Sequence, residues 1–162
     1  MEALGLAAAA IPVGADRAPV WPKGVAGSIT HSATHCIAAV ARHSDGIRSI
    51  GIDIEEATPL DEAFSEDICT MAERQWLSRQ PADGRGLMLK ALFSAKESAY
   101  KCQYPLSVTF LEYDAMSILL DPASDSFSAR FEVDAGPFRA GDRLGGRMRF
   151  VDGHIATAVV LI

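Results

Sequence analysis

Between residues 50 and 55 the chain reads Ile-Gly-Ile-Asp-Ile-Glu, an alternation that leaves little choice of local structure. Strand side chains point to opposite faces with period two, so Ile50, Ile52 and Ile54 share one face and Gly51, Asp53 and Glu55 the other. A strand is expected here, with two carboxylates projecting in parallel about 6–7 Å apart at Cα. Such a pair can converge on one hard cation through oxygen ligands. The same pattern arises when an edge strand turns a polar face to water. Gly51 has no side chain and leaves room on the acidic face for a ligand to approach the backbone.

The segments around this strand suggest an α+β domain. Pro12 to Gly27 is rich in proline and glycine and reads as an irregular connection. Ser28–Thr30 and Ile37–Ala41 join Ile50–Ile54 as short apolar runs separated by turn-like HSATH and RHSDGIRS, so three neighbouring strands are expected. A helical region opens at Thr58-Pro59-Leu60-Asp61. Thr70 and Glu73 fit a capping box ahead of a further helix. Pro81-Ala82-Asp83-Gly84 breaks that region, and a long helix follows from about Gly86 to Gln103, stopped near Pro105. From Glu112 the pattern is mostly β, with runs MSILL, FSARFEV, RMRFV and IATAVVLI and a hairpin turn at Asp152-Gly153. Ahead of all this, Met1–Ala15 has one acid and no basic segment. It is a poor signal peptide and reads as the tail of a helix entering a loop at Pro12.

Composition narrows the function. The chain has 162 residues, 49% of them hydrophobic and 22% charged, which suits one domain with a real core. A formal net charge of −6 argues against a nucleic-acid binder but leaves a small phosphate ligand open. Three scattered cysteines, Cys36, Cys69 and Cys102, fit no disulfide framework and indicate reduced thiols in the cytoplasm. No apolar run approaches a membrane span.

The long helix carries the densest chemistry, in Phe93-Ser94-Ala95-Lys96-Glu97-Ser98-Ala99-Tyr100-Lys101. At about 100° per residue, Lys90, Glu97 and Lys101 fall within about 40° of one another. Met88, Leu92, Ala95, Ala99 and Cys102 cluster on the opposite side, and Lys96 sits on a flank. Glu97 and Lys101 are spaced for an ion pair, so a solvated, salt-bridged stripe is one reading. A third oxygen ligand beside phosphate-holding cations is the other. Upstream, Gly27-Ser28-Ile29-Thr30-His31-Ser32 ends a strand with hydroxyls and an imidazole suited to an anion. A lone histidine is as readily structural. His31, His35 and Cys36 lack the further ligand that zinc needs.

Taken in order, GSITH, GIDIE and FSAKESAYK resemble the signature motifs of the 4′-phosphopantetheinyl transferases, nearest the enterobactin-synthase component D and surfactin-type group. The likeness covers residues 14–105, includes Arg17-Ala18-Pro19-Val20-Trp21-Pro22, and extends to Tyr104-Pro105-Leu106, which is similar to an actinobacterial subgroup. It implies an α+β fold of that family, an antiparallel sheet packed with a long helix. It further implies Mg²⁺-dependent transfer of the 4′-phosphopantetheine arm of coenzyme A to a serine of an acyl or peptidyl carrier protein, in siderophore or polyketide biosynthesis, with release of adenosine 3′,5′-bisphosphate. By position, Asp53, Glu55 and Glu97 would be metal ligands, and Glu97 and Lys101 the catalytic pair. Arg17, Thr30, His31, Lys96 and Lys101 would contact coenzyme A.

The family is built as two similar halves, and no Arg-rich GRxxAR-like segment precedes Ala3-Leu4-Gly5-Leu6. The expectation is therefore one half plus a remnant of the other, residues 1–27 being remnant and linker and 28–162 the transferase domain. Tight coenzyme A binding would then be weakened, and exposed apolar surface would favour self-association. Two other functions suit the same residues: a metal-dependent phosphodiesterase or nuclease, and a non-catalytic carrier-protein-binding remnant.

Overall fold

The alternating strand sets the architecture. In the computed structural model, which describes residues 4–162, it is β3 (Ser49–Glu56) at one edge of a five-stranded sheet. The remaining strands are β4 (Met116–Asp121), β5 (Ser126–Phe131), β6 (Arg143–Val151) and β7 (His154–Leu161). They form an antiparallel meander that returns across the sheet in the order β3-β7-β6-β5-β4. β6 turns into β7 through Asp152 and Gly153, both at positive φ (48° and 73°), as the two-residue hairpin turn requires.

Between β3 and β4 the chain makes α1 (Ser65–Ile68), α2 (Met71–Ser78) and α3 (Arg85–Ser107). The expected capping box is present: the Thr70 hydroxyl accepts from Glu73 N–H, and Glu73 Oε2 accepts from Thr70 N–H at 2.6 Å. α3 runs through Pro105 rather than stopping before it, and ends two residues later at Ser107, capped by Val108 in the left-handed region. A proline in the final turn removes only one backbone bond, too little to halt a helix held by packing. No described helix is long and apolar enough to cross a membrane.

α3 lies across the sheet, and the core is the layer between them. Leu89, Leu92, Ala95, Ala99 and Cys102 pack among Ala129, Phe131, Met148, Ile155 and Val159, all nearly without exposure. Burial extends around most of the helix to Lys90, Lys96, Ser98 and Gln103, so it is a core helix rather than a one-faced surface helix.

β1 (Val25–His31) and β2 (Cys36–Arg42) form a separate antiparallel hairpin. The three expected strands are thus neighbours but not one sheet. Ser28 Oγ accepts from Ile52 N–H (3.1 Å) and Thr30 Oγ1 from Ile54 N–H (3.3 Å), so β1 caps the open edge of β3 with hydroxyls in place of backbone bonds. Trp21 explains Gly27, since a Cβ there would sit 2.6 Å from the indole. Of the expected N-terminal helix tail the described residues show a 3-10 conformation at Leu4 and a turn at Gly5. Leu6–Pro12 has no regular structure, and Met1–Ala3 lie outside the described residues.

Candidate active site

Gly51 positions the site, though not as its sequence suggests. A Cβ on it would meet the Ser98 carbonyl oxygen at 1.9 Å and the Cys102 nitrogen at 2.5 Å. The room it leaves is filled by the backbone of α3, not by a ligand. This close approach presses the acidic face of β3 onto the helix, where Ser49 Oγ donates to the Cys102 carbonyl (2.6 Å). The solvated-edge reading of Asp53 and Glu55 is therefore excluded.

Asp53 lies where three elements meet. Its Oδ1 accepts from Thr30 Oγ1 (3.0 Å, from β1) and from Lys101 Nζ (2.7 Å, from α3). Its Oδ2 is buried with no hydrogen-bond partner among the described residues. One turn back, Glu97 Oε2 stands 3.9 Å from Lys101 Nζ, while its Oε1 accepts from the Tyr113 phenol at 2.9 Å. Burial, then the charge of Glu97, pushes the Tyr113 phenol well above its ordinary range, so it remains a donor. Glu55 pairs with Lys90 at 3.9 Å, and the Lys90 ammonium also reaches Thr58. Burial, then the charge of Asp53, raises the Glu55 carboxyl above its usual range.

The structure brings Thr30, Asp53, Glu97 and Lys101 together, but the Thr30 hydroxyl, expected to contact coenzyme A, is buried and spent on Asp53 and Ile54. No finished cage results: among the described residues, no three His, Cys, Asp or Glu side chains stand together in metal-binding geometry. Lys101 occupies the centre. The donor set nevertheless suits a hard divalent ion. It offers an orphaned buried carboxylate oxygen and a neighbouring acid whose charge is disfavoured, which a cation would relieve.

Lys96 does not join this group. Its ammonium is buried at 2% exposure and pairs with Glu73 at 2.9 Å. It donates as well to the carbonyls of Tyr113 (2.5 Å) and Met116 (2.7 Å). Every proton on it is spent on the protein, so the expected phosphate contact is corrected to a structural one. Arg17 is exposed, in the left-handed region (φ 67°), on a loop tied to α3 by a 3.1 Å bond from the Tyr104 hydroxyl to Asp16. Arg17, Tyr104 and Lys101 help line a hollow of about 560 Å³. A smaller one, about 140 Å³, opens by Glu97 against Tyr100, Leu111 and Tyr113. His31 is exposed beyond Thr30, and its ring makes no hydrogen bond among the described residues. Tyr113 escaped the motif reading, since nothing local marks it, and Ser28, read there as a hydroxyl for an anion, instead accepts from Ile52 N–H.

Fold and site together define an α+β protein whose sheet edge and central helix enclose a cleft of acids around one lysine. Comparison with known proteins assigns it more closely. The sequence model of the 4′-phosphopantetheinyl transferase superfamily matches residues 49–146, and that of the 4′-phosphopantetheinyl transferase N-terminal domain matches residues 1–41. The boundary expected after residue 27 falls inside the second match. The chain is 38% identical over 98% of its length to the 4′-phosphopantetheinyl transferase Svp of Streptomyces mobaraensis, and covers 65% of that protein. It is 33% identical over 99% of its length to PptT of Mycobacterium tuberculosis, covering 73% of it, and 33% identical over 75% to the Escherichia coli K12 enterobactin synthase component D, covering 60%. The Thermotoga maritima holo-[acyl-carrier-protein] synthase shares the fold, with a TM-score of 0.55 at 20% identity over 71% of this chain and 63% of that one. The chain belongs to the 4′-phosphopantetheinyl transferase superfamily, and spans about two thirds of the length of the curated relatives it matches.

Proposed function

We propose that this chain transfers the 4′-phosphopantetheine arm of coenzyme A to a serine of an acyl or peptidyl carrier protein in the cytoplasm. The observation that carries the proposal is the Asp53–Lys101–Glu97 grouping, held in a superfamily whose relatives are named for this transfer.

Asp53, Glu55 and Glu97 would hold Mg²⁺, which when bound supplies positive charge to the pyrophosphate. The chain's own residues do the rest. Lys101, with Arg17 on the same hollow, neutralises the coenzyme A phosphates, and the exposed His31 beyond Thr30 helps orient them. Glu97 takes the serine proton at Oε2, the oxygen free of Tyr113, while Oε1 accepts from Tyr113 and keeps a second lone pair with which to help hold the cation. The serine oxygen bonds to the phosphorus that carries the pantetheine arm. The pyrophosphate bridge breaks, and adenosine 3′,5′-bisphosphate leaves with the bonding electrons. Thr30 keeps Asp53 in place through a 3.0 Å hydrogen bond from its hydroxyl.

The test is to incubate the chain with coenzyme A, Mg²⁺ and an apo carrier protein and weigh the intact carrier. Gain of the arm on its serine is expected. An unmodified carrier, with a phosphodiester or nucleic acid cleaved instead, would replace this function with metal-dependent hydrolysis.

A further inference from the structure

We infer that Tyr113 is the positioning residue for Glu97, a role that rests on the transferase reading above. Glu97 and Lys101 are one helical turn apart, a spacing that lets such a pair close to direct contact. Here it stays open at 3.9 Å, while Lys101 makes its short contact, 2.7 Å, to Asp53. What holds Glu97 back is the Tyr113 phenol, which donates to Oε1 at 2.9 Å. A hydrogen bond to an ionised carboxylate is among the stronger ones available to a side chain. It fixes the carboxylate plane and leaves Oε2 as the free acceptor.

Tyr113 can do this because it is itself held at two other points. Its carbonyl accepts from the buried Lys96 ammonium at 2.5 Å, and that ammonium is anchored by Glu73 at 2.9 Å. Its ring packs on Phe93, with centroids 5.8 Å apart. Only the hydroxyl is left to reach a polar group, and Glu97 is the group it reaches. The buried Lys96–Glu73 pair thus serves the site at one remove, by fixing the residue that fixes Glu97.

The hydroxyl alone is removed in Tyr113→Phe. Its kcat for transfer is expected to fall about tenfold or more, the scale on which small misplacements of a reacting group act, with KM for coenzyme A within about twofold of wild type. In a Glu97→Gln background the same change should add little, because the two act as one unit. A full additional loss there, or a Tyr113→Phe enzyme with unchanged kcat, overturns the proposal. The crystal structure of Tyr113→Phe reads positioning without any assay: the Glu97 carboxylate is expected to swing onto Lys101. A carboxylate that stays where it is in wild type overturns the proposal whatever the activity. Wild-type protein that fails to modify any carrier would overturn the transferase reading instead, and the crystal structure would still decide the positioning.

Discussion

Nζ of Lys101 stands 2.7 Å from Oδ1 of Asp53, while Oδ2 of the same carboxylate is buried and without a hydrogen-bond partner among the described residues. One oxygen is committed to the protein and the other has no partner among the described residues. That arrangement suits the cation proposed for this site, because an unpaired buried carboxylate oxygen is costly.

Replacing Asp53 with Asn tests the charge at this position. The amide keeps an oxygen for Thr30 and nearly the same volume, but it removes the charge. Initial transfer rates are expected to fall by about 10²–10³, the usual loss when a preorganised electrostatic group is removed. The melting temperature should hold, and near-normal turnover would remove Asp53 from the site.

The close packing of β3 on α3 makes Gly51 the most sensitive neutral position. In Gly51→Ala the new methyl would collide with helix backbone, at 1.9 Å from the Ser98 carbonyl, which cannot rotate away. Overpacking of this kind costs about 1–3 kcal/mol. Because β3 must retreat, transfer should also drop at temperatures where the variant is still folded. Chemical denaturation and transfer rates measured together check both. An unchanged midpoint would mean the strand does not lie as close as described.

Lys96 separates structural from substrate-binding lysines. Lys96→Met leaves Glu73 buried without its cation and should lose about 3–5 kcal/mol in urea denaturation. Adding Glu73→Gln should recover part of that loss. A stable Lys96→Met protein with a raised KM for coenzyme A would restore the phosphate contact expected from the sequence.

The thiols give a pH-dependent readout away from the site. Burial pushes Cys69 and Cys102 up from the ordinary 9.0 to about 11, whereas Cys36 is exposed. At pH 8 a chromogenic disulfide reagent should modify Cys36 alone in the native protein and all three cysteines in denaturant. Between pH 9 and about 11 the unfolded chain releases these protons before the folded one does. Their contribution to stability is therefore complete below 9 and is lost as pH rises through that window. Native Cys102 reacting as fast as Cys36 would contradict the burial.

What could be read from the sequence was local. The alternation of β3, the Thr70–Glu73 capping box and the Glu97–Lys101 spacing each follow from periodicity within a few residues, and all three stand in the structure. What could not be read was set by distant partners. Lys96 looks like a flank residue on a helical wheel, and its inward partners, Glu73 on another helix and the carbonyls of Tyr113 and Met116, lie far along the chain. Gly51 signals a close approach without saying of what. Tyr113 follows the long helix in a stretch with no motif, and its importance lies wholly in where the chain returns after Val108.

Whether this cleft moves the pantetheine arm between two molecules is decided by following a purified apo carrier protein with coenzyme A and Mg²⁺, by intact-mass spectrometry, while adenosine 3′,5′-bisphosphate is quantified in the same samples. Arm gained and bisphosphate released are expected to rise one for one, and both to stop in Glu97→Ala. Bisphosphate released without a modified carrier, or transfer undiminished in Glu97→Ala, would contradict the proposed transfer.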